Sequence, residues 1–174
     1  MFLIHKIQLY SKDIQLNGGI CSLYELVENC IEDSQKRVCK DICFKNNCEK
    51  GIFIHCDSFH ISEVLNNLLN NAIDAIQNSG VIIVDFDASN KKQYSLFVKD
   101  NGIGIKKETL PHLFEPYYTS KSGDEHFGLG LFYCYRVMQK HNGNIDVKSE
   151  FGVGSVFSLY FPKYVGDIVR IEAK

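Results

Sequence analysis

The chain contains no tryptophan, only three prolines and only two methionines in 174 residues. With so little proline, long helices and strands can run unbroken. The seven cysteines, at 21, 30, 39, 43, 48, 56 and 134, include no C-x-x-C pair, so the ligand spacing of a zinc cluster is missing. Basic blocks are also missing, and the formal charge is -2. That argues against nucleic acid as the partner, because phosphate-backbone binding needs clustered Lys and Arg. No apolar run approaches the roughly 20 residues needed to cross a bilayer. Met1-Phe-Leu-Ile-His-Lys6 is too short and too soon interrupted to serve as a secretory signal. These absences point to a cytosolic protein with reduced, mostly core cysteines and no membrane contact.

Hydrophobic residues make up 45% of the chain, enough to build one core, and the length fits one domain. Ser22-Leu-Tyr-Glu25 is a capping-box sequence ahead of the stripe Leu23, Leu26, Val27, Cys30 and Ile31, which predicts a helix ending near Gln35. Asp41–Lys45 and Gly51–Cys56, separated by a polar turn, read as a pair of strands. Asp57 or Ser58 can cap the longest helix, expected over 58–78 and stopped by Asn78-Ser-Gly80. Val81–Phe86 and Tyr94–Val98 follow as strands. A short helix is expected near Lys106–Leu110, another from Gly128 to His141, and a closing hairpin over 145–161. Adjacent strand pairs with helices between them predict an α+β fold. Its form is a two-layer sandwich, a mixed sheet covered on one face by helices.

Three stretches carry chemistry. In the long helix, Glu63, Asn67 and Asn71 are four apart and share a stripe beside the apolar arc. Four asparagines within six residues cost helix stability with no local return. Amide oxygens beside a core can help hold a hydrated Mg²⁺, which prefers oxygen ligands and keeps several waters. Next, Asp100-Asn-Gly-Ile-Gly104 follows a strand. A carboxylate there can accept a hydrogen bond from an exocyclic amine such as that of adenine, and glycines let backbone approach a flat ring. Finally, Gly128-Leu-Gly-Leu131 opens a helix, whose free N–H groups suit phosphate. It is no Walker loop, for no Gly-Lys-Ser/Thr follows. The polar segment 115–127 lies between the two glycine stretches. Within it, Lys121 is the best-placed cation to reach a terminal phosphate.

Together, from about Gly19 to Pro162, these stretches resemble the catalytic, ATP-binding domain of bacterial sensor histidine kinases. That domain lies within the wider family of gyrase, Hsp90 and MutL ATPases. Glu63-Val-Leu-Asn-Asn-Leu-Leu-Asn-Asn-Ala-Ile-Asp-Ala75 is similar to the N box, and Asp100–Gly104 to the first glycine box. His112–Lys121 resembles the phenylalanine box, Gly128–Leu131 the second glycine box, and Gly152–Phe157 the closing glycine turn. The resemblance implies that Asn71 ligands Mg²⁺, Asn67 supports the phosphates, Glu63 is the acid–base residue and Asp100 reads the adenine amine. It also implies an ATP site drawing on Gly102, Gly104, Ile105, Tyr118, Thr119, Lys121, Gly128, Leu129, Gly130, Leu131 and Ser155. The activity implied is transfer of the γ-phosphoryl of ATP to a histidine of an upstream dimerisation domain, and onward to a response regulator receiver domain. The domain would be cytoplasmic, within a parent that can be membrane-anchored. Residues 17–163 would then be the kinase domain, 1–16 the end of an upstream dimerisation helix or linker, and 164–174 a tail.

Three departures accompany the match. Asp74 stands where many members carry a basic residue. His126-Phe127 precedes Gly128 in place of a further glycine. No His-Glu phosphoacceptor motif is found, so the acceptor is expected upstream of this chain. An anti-sigma-type Ser/Thr kinase on the same fold, or a non-catalytic nucleotide-binding module, are the alternatives.

Overall fold

A computed structural model describes residues 13–119 and 127–163. In chain order these form β1 (Gly19–Ser22), α1 (Leu23–Gln35), β2 (Asp41–Asn46), β3 (Phe53–Cys56), α2 (Ser58–Ala75), β4 (Ser79–Asp87), β5 (Gln93–Asp100), a 3₁₀ turn (Leu110–His112), α3 (Gly130–Lys140), β6 (Asn144–Glu150) and β7 (Gly154–Pro162). Five strands make one sheet in the order β2-β4-β5-β7-β6. β2 runs parallel to β4, and the other pairs are antiparallel. β1 and β3 form a separate two-stranded ribbon. The mixed sheet with packed helices is the α+β sandwich that the element order predicts.

The apolar stripe of α2 explains its place at the centre. Ile61, Val64, Leu65, Leu68 and Leu69 are fully buried, as are Ile82, Leu96 and Leu159 of the sheet and Tyr133, Val137 and Met138 of α3. Each such side chain contributes about 1.5–3 kcal/mol through removal from water. Two polar contacts fix how α3 lies on α2. The buried His60 imidazole meets the Tyr133 hydroxyl at 2.6 Å, and the Cys134 thiol donates to the Val64 carbonyl. The cap of α2 is Asp57, whose carboxylate accepts from the His60 N–H at 3.0 Å. For α1 the cap is Ser22, accepting from the Glu25 N–H.

Several sequence expectations shift. The long helix ends at Ala75, three residues early, because other groups take its last carbonyls. Lys40 Nζ donates to Ile73 and Ile76, and the Ile103 N–H donates to Ala75. The strand β4 then starts at Ser79. The strands at 41–46 and 53–56 do not pair with each other. Asn46 turns the chain instead: its amide donates to Tyr24 O and Glu28 Oε2, its Oδ1 accepts from Cys48 N, and β2 joins β4 while β3 joins β1. The expected helix at 106–110 is a turn followed by the 3₁₀ segment Leu110–His112. Pro111 falls in the first turn of that 3₁₀ segment, where its missing N–H costs nothing. The last helix starts at Gly130 rather than Gly128. The calls for residues 1–12 and for the tail 164–174 lie outside the described residues.

Candidate nucleotide site

The end of β5 carries Asp100, opposite Ser155 of β7 in the sheet register. Asp100 Oδ1 accepts from the Gly102 N–H at 2.9 Å, and Ser155 donates to the same carboxylate. Burial raises the pKa of Asp100, and the hydrogen bonds from Gly102 and Ser155 oppose that rise. A carboxylate held this way, half-buried at a strand end, suits recognition of an exocyclic amine.

The loop after Asp100 is wedged between two backbones. The Ile103 N–H donates to the Ala75 carbonyl at the end of α2, and its own carbonyl accepts from Gly152 N at 2.7 Å. Ser149 Oγ accepts from Ile105 N and lies 3.0 Å from Ser155 Oγ. At Gly104, φ is +66°, and an added Cβ would fall 2.0 Å from the Glu150 carbonyl oxygen. At Gly102, an added Cβ would lie 2.6 Å from the Ala75 carbonyl oxygen. The protein's own packing therefore demands both glycines, whereas the sequence argument assigned them to approach of a flat ring. Ile105 packs on the edge of the core.

On α2, the Asn67 amide donates to the Glu63 carbonyl at 2.8 Å, which turns its Oδ1 outward toward α3. There Gly130 opens α3 so closely that a Cβ would sit 2.9 Å from Asn67 Oδ1. The N-cap position of α3 is Leu129, which makes no side-chain cap hydrogen bond. The first N–H groups of α3 thus face the asparagine stripe of α2 with no capping side chain of their own. Asn71 lies one turn further along α2, half-buried. The nearby Asn66 Oδ1 is buried with no hydrogen-bond partner among the described residues.

The stretch before α3 is tied at its described ends. The Tyr117 N–H donates to the Gly128 carbonyl at 3.0 Å, and Gly128 has φ +63°. Tyr118 stacks beside His112 with ring centroids 5.5 Å apart, and Thr119 is exposed. Leu129 and Leu131 pack partly against the core. Lys121 lies outside the described residues.

The fold thus brings Asp100, Gly102, Gly104, Ile105 and Ser155 to one end of α2. It brings Asn67, Gly128, Leu129, Gly130 and Leu131 to the α2–α3 junction, with Asn71 between. Glu63 stands apart. It is eight residues from Asn71, roughly 12 Å along the helix axis. It lines a different cleft, with Cys21, Ser22, Glu25 and Phe59. Sequence reasoning missed Ser149 and the Ala75 carbonyl, which hold the first glycine loop. No local pattern marks either, because both act across long sequence separations.

Among the described residues, no helix is long and apolar enough to cross a membrane, and no three His, Cys, Asp or Glu side chains converge as a metal cage.

Residues 56–165 match the family model of the histidine kinase-, DNA gyrase B- and HSP90-like ATPases. Sporulation kinase E of Bacillus subtilis is 37% identical over 109 residues, covering 63% of this chain and 14% of its own. Sensor protein SrrB of Staphylococcus aureus is 35% identical over 122 residues, covering 68% of this chain and 21% of its own. The chain thus spans between about a seventh and a fifth of the length of these relatives. The catalytic domain of histidine kinase ThkA, 27% identical, superposes with a TM-score of 0.70 over 85% of this chain and 99% of that one. Full-length ShkA, solved in complex with AMPPNP, shares the fold with a TM-score of 0.77 at 20% identity, over 98% of this chain and 35% of that one. The chain belongs to the histidine kinase-, DNA gyrase B- and HSP90-like ATPase family, as an ATP-binding catalytic domain of the sensor histidine kinase type.

Proposed function

We propose that this domain binds ATP with Mg²⁺ and passes the γ-phosphoryl group to a histidine held in a separate dimerisation domain of the same protein. A response regulator receiver domain then takes the phosphoryl group. The observation that carries the reading is the meeting of three parts around α2. Asp100 sits at its C-terminal end, the asparagine stripe lies along its flank, and α3 opens against Asn67 at Gly130.

In this reading Asp100 accepts the adenine amine, with Ser155 and the Gly102 N–H holding its carboxylate in place. Gly104 and Ile105 shape the floor beside the base. The phosphates run toward the opening of α3, where the N–H groups at Gly130 and Leu131 meet negative charge at the positive end of a helix. Gly128, Leu129, Tyr118 and Thr119 line the approach, and Lys121 pairs with the terminal phosphate. Asn71 supplies an amide oxygen to the cation and Asn67 steadies the phosphates. The donor set fits Mg²⁺, being amide oxygens without thiols or imidazoles, and a hard cation completes its shell with water and phosphate. When bound, Mg²⁺ neutralises charge on the phosphates. Glu63, set apart along α2, faces the side from which the acceptor histidine arrives and takes its proton. Most of the work is positioning and charge neutralisation.

The domain division that follows is a kinase body over 17–163, a connection to the dimerisation helix over 1–16 and a tail over 164–174. The working location is the cytoplasm. The test is incubation with γ-labelled ATP, with and without a dimerisation domain bearing its histidine. Acid-labile label should appear on the added domain and little on this chain. Strong acid-stable labelling of this chain or of a protein substrate would point instead to the Ser/Thr kinase alternative.

A further inference from the structure

Seven cysteines are more than the nucleotide chemistry uses, and two of them are cross-strand neighbours. In the β1–β3 ribbon, Cys21 lies opposite Ile54, and Gly19 opposite Cys56. Cys21 and Cys56 are therefore diagonal neighbours on one face of an antiparallel pair. Diagonal neighbours of this kind have Cα atoms on the order of 7–8 Å apart with Cβ atoms somewhat closer, so bridging them draws the two strands slightly together. The Cys21 side chain leans that way: its thiol is 3.6 Å from the Cys56 carbonyl oxygen and 3.5 Å from the Gly19 carbonyl oxygen.

The remaining cysteines are placed differently. Cys30 and Cys134 each point at a carbonyl of α2, Cys48 is buried, and Cys39 and Cys43 are exposed.

Access is asymmetric. Cys21 is half-buried and borders a cleft of about 370 Å³ that it shares with Ser22, Phe59 and Glu63. Cys56 is only 1% exposed, beneath a second cleft of about 440 Å³ walled by His55, Asp57 and His141. A small oxidant reaches Cys21 first.

We propose that Cys21 and Cys56 form an oxidant-responsive pair that closes to an intramolecular disulfide under hydrogen peroxide. In the first step the Cys21 sulfur attacks one peroxide oxygen. An S–O bond forms, the O–O bond breaks, and hydroxide leaves and is protonated to water. In the second step the Cys56 sulfur attacks the Cys21 sulfur. The S–S bond forms, the S–O bond breaks, and the departing hydroxide takes the Cys56 proton. The net change is two thiols and one peroxide giving one disulfide and two waters. Burial raises the pKa of the Cys56 thiol above the ordinary range, so little of it is thiolate and the second step is the slower one. The cross-link ties β1, which follows directly on residues 13–18, to β3, which leads into the Asp57 cap of α2. It changes the stiffness at that junction without touching Asp100 or Gly130.

The test treats the full chain with excess hydrogen peroxide, blocks free thiols by alkylation, and maps linked peptides by mass spectrometry without reduction. A Cys39→Ser, Cys43→Ser background removes the exposed thiols. The expected product joins the Cys21 and Cys56 peptides, with loss of two hydrogens that dithiothreitol restores. The thermal midpoint should rise on oxidation and fall back on reduction. Cys21→Ser should leave Cys56 alkylatable only after unfolding. Over-oxidation of Cys21 to sulfinic acid with Cys56 still free, or links confined to other cysteines, would overturn the pair.

Discussion

The loop Asp100–Ile105 and the opening of α3 both depend on glycine, but against different surfaces. Gly104 lies against a backbone carbonyl of the β6–β7 turn, in left-handed conformation, with no room for any side chain. Gly130 lies against the Asn67 side chain, at an ordinary helical position with nothing else in the way among the described residues. The first glycine is a demand of folding, and the second is assigned to the proposed site. Both read alike in sequence, as part of a Gly-x-Gly. The neighbour that a methyl group would strike tells them apart.

Substitutions should separate the two. Gly104→Ala combines positive φ with overlap of backbone, and should destabilise by about 3 kcal/mol or more. Chemical denaturation measures it, and a loss below about 1 kcal/mol would place Gly104 in the same class as Gly130. Asp100→Asn should keep the fold and lose about 1.5–3 kcal/mol of adenine nucleotide affinity, the value of a hydrogen bond to a charged group. Guanine nucleotides should be weakened far less. Equal weakening of both would show that Asp100 supports the loop without reading the base.

Gly130→Ala gives the sharpest contrast. Alanine favours helix by about 1 kcal/mol, so the melting temperature should hold or rise. Asn67 must turn aside, so ATP affinity should fall by about tenfold, or roughly 1.4 kcal/mol. Loss of stability together with affinity would mean that Gly130 is a folding glycine after all. Asn71→Ala should have the smallest effect on the fold, a few tenths of a kcal/mol, while removing the Mg²⁺ dependence of ATP binding. Unchanged Mg²⁺ dependence in titrations with and without the metal would remove Asn71 from the cation's ligands.

A pH experiment probes the opposite end of α2. His141 Nδ1 donates to the Val137 carbonyl, and Nε2 accepts from the Asp57 N–H at 3.0 Å, so the folded chain holds a neutral ring. Burial lowers its pKa below the ordinary value, with Asp57 nearby opposing that shift. The folded pKa lies below the unfolded one, so this stability is present above about pH 6.5 and is lost as pH falls through the folded value. His141→Gln, which keeps an acceptor, should flatten the melting temperature between neutral and mildly acidic pH. An unchanged acid slope would assign it to other groups.

Much of this was legible in the residues. The three- and four-residue spacing of Ile61 to Ile76 located the long helix. The capping chemistry of Ser22 and Asp57 marked two helix starts. Asp100, the asparagine stripe and the two glycine stretches came together around α2 as their chemistry suggested. What could not be read depended on distant partners. Lys40 and Ile103 end α2 by taking its carbonyls across more than 25 residues of chain. Strand β2 chose β4 over β3 because Asn46 turned the chain toward α1. The reason for Gly102 and Gly104 lay in carbonyls of Ala75 and Glu150, which no local pattern ties to them.

The central claim is that Asp100, the asparagines of α2 and the opening of α3 form one adenine nucleotide site. Calorimetric titration of the chain with ATP in the presence of Mg²⁺ tests it most directly. Saturable binding in the low-to-high micromolar range, about -6 to -8 kcal/mol, with clear preference over GTP, is the expected result. Absence of heat at millimolar nucleotide, or equal affinity for GTP, would contradict it.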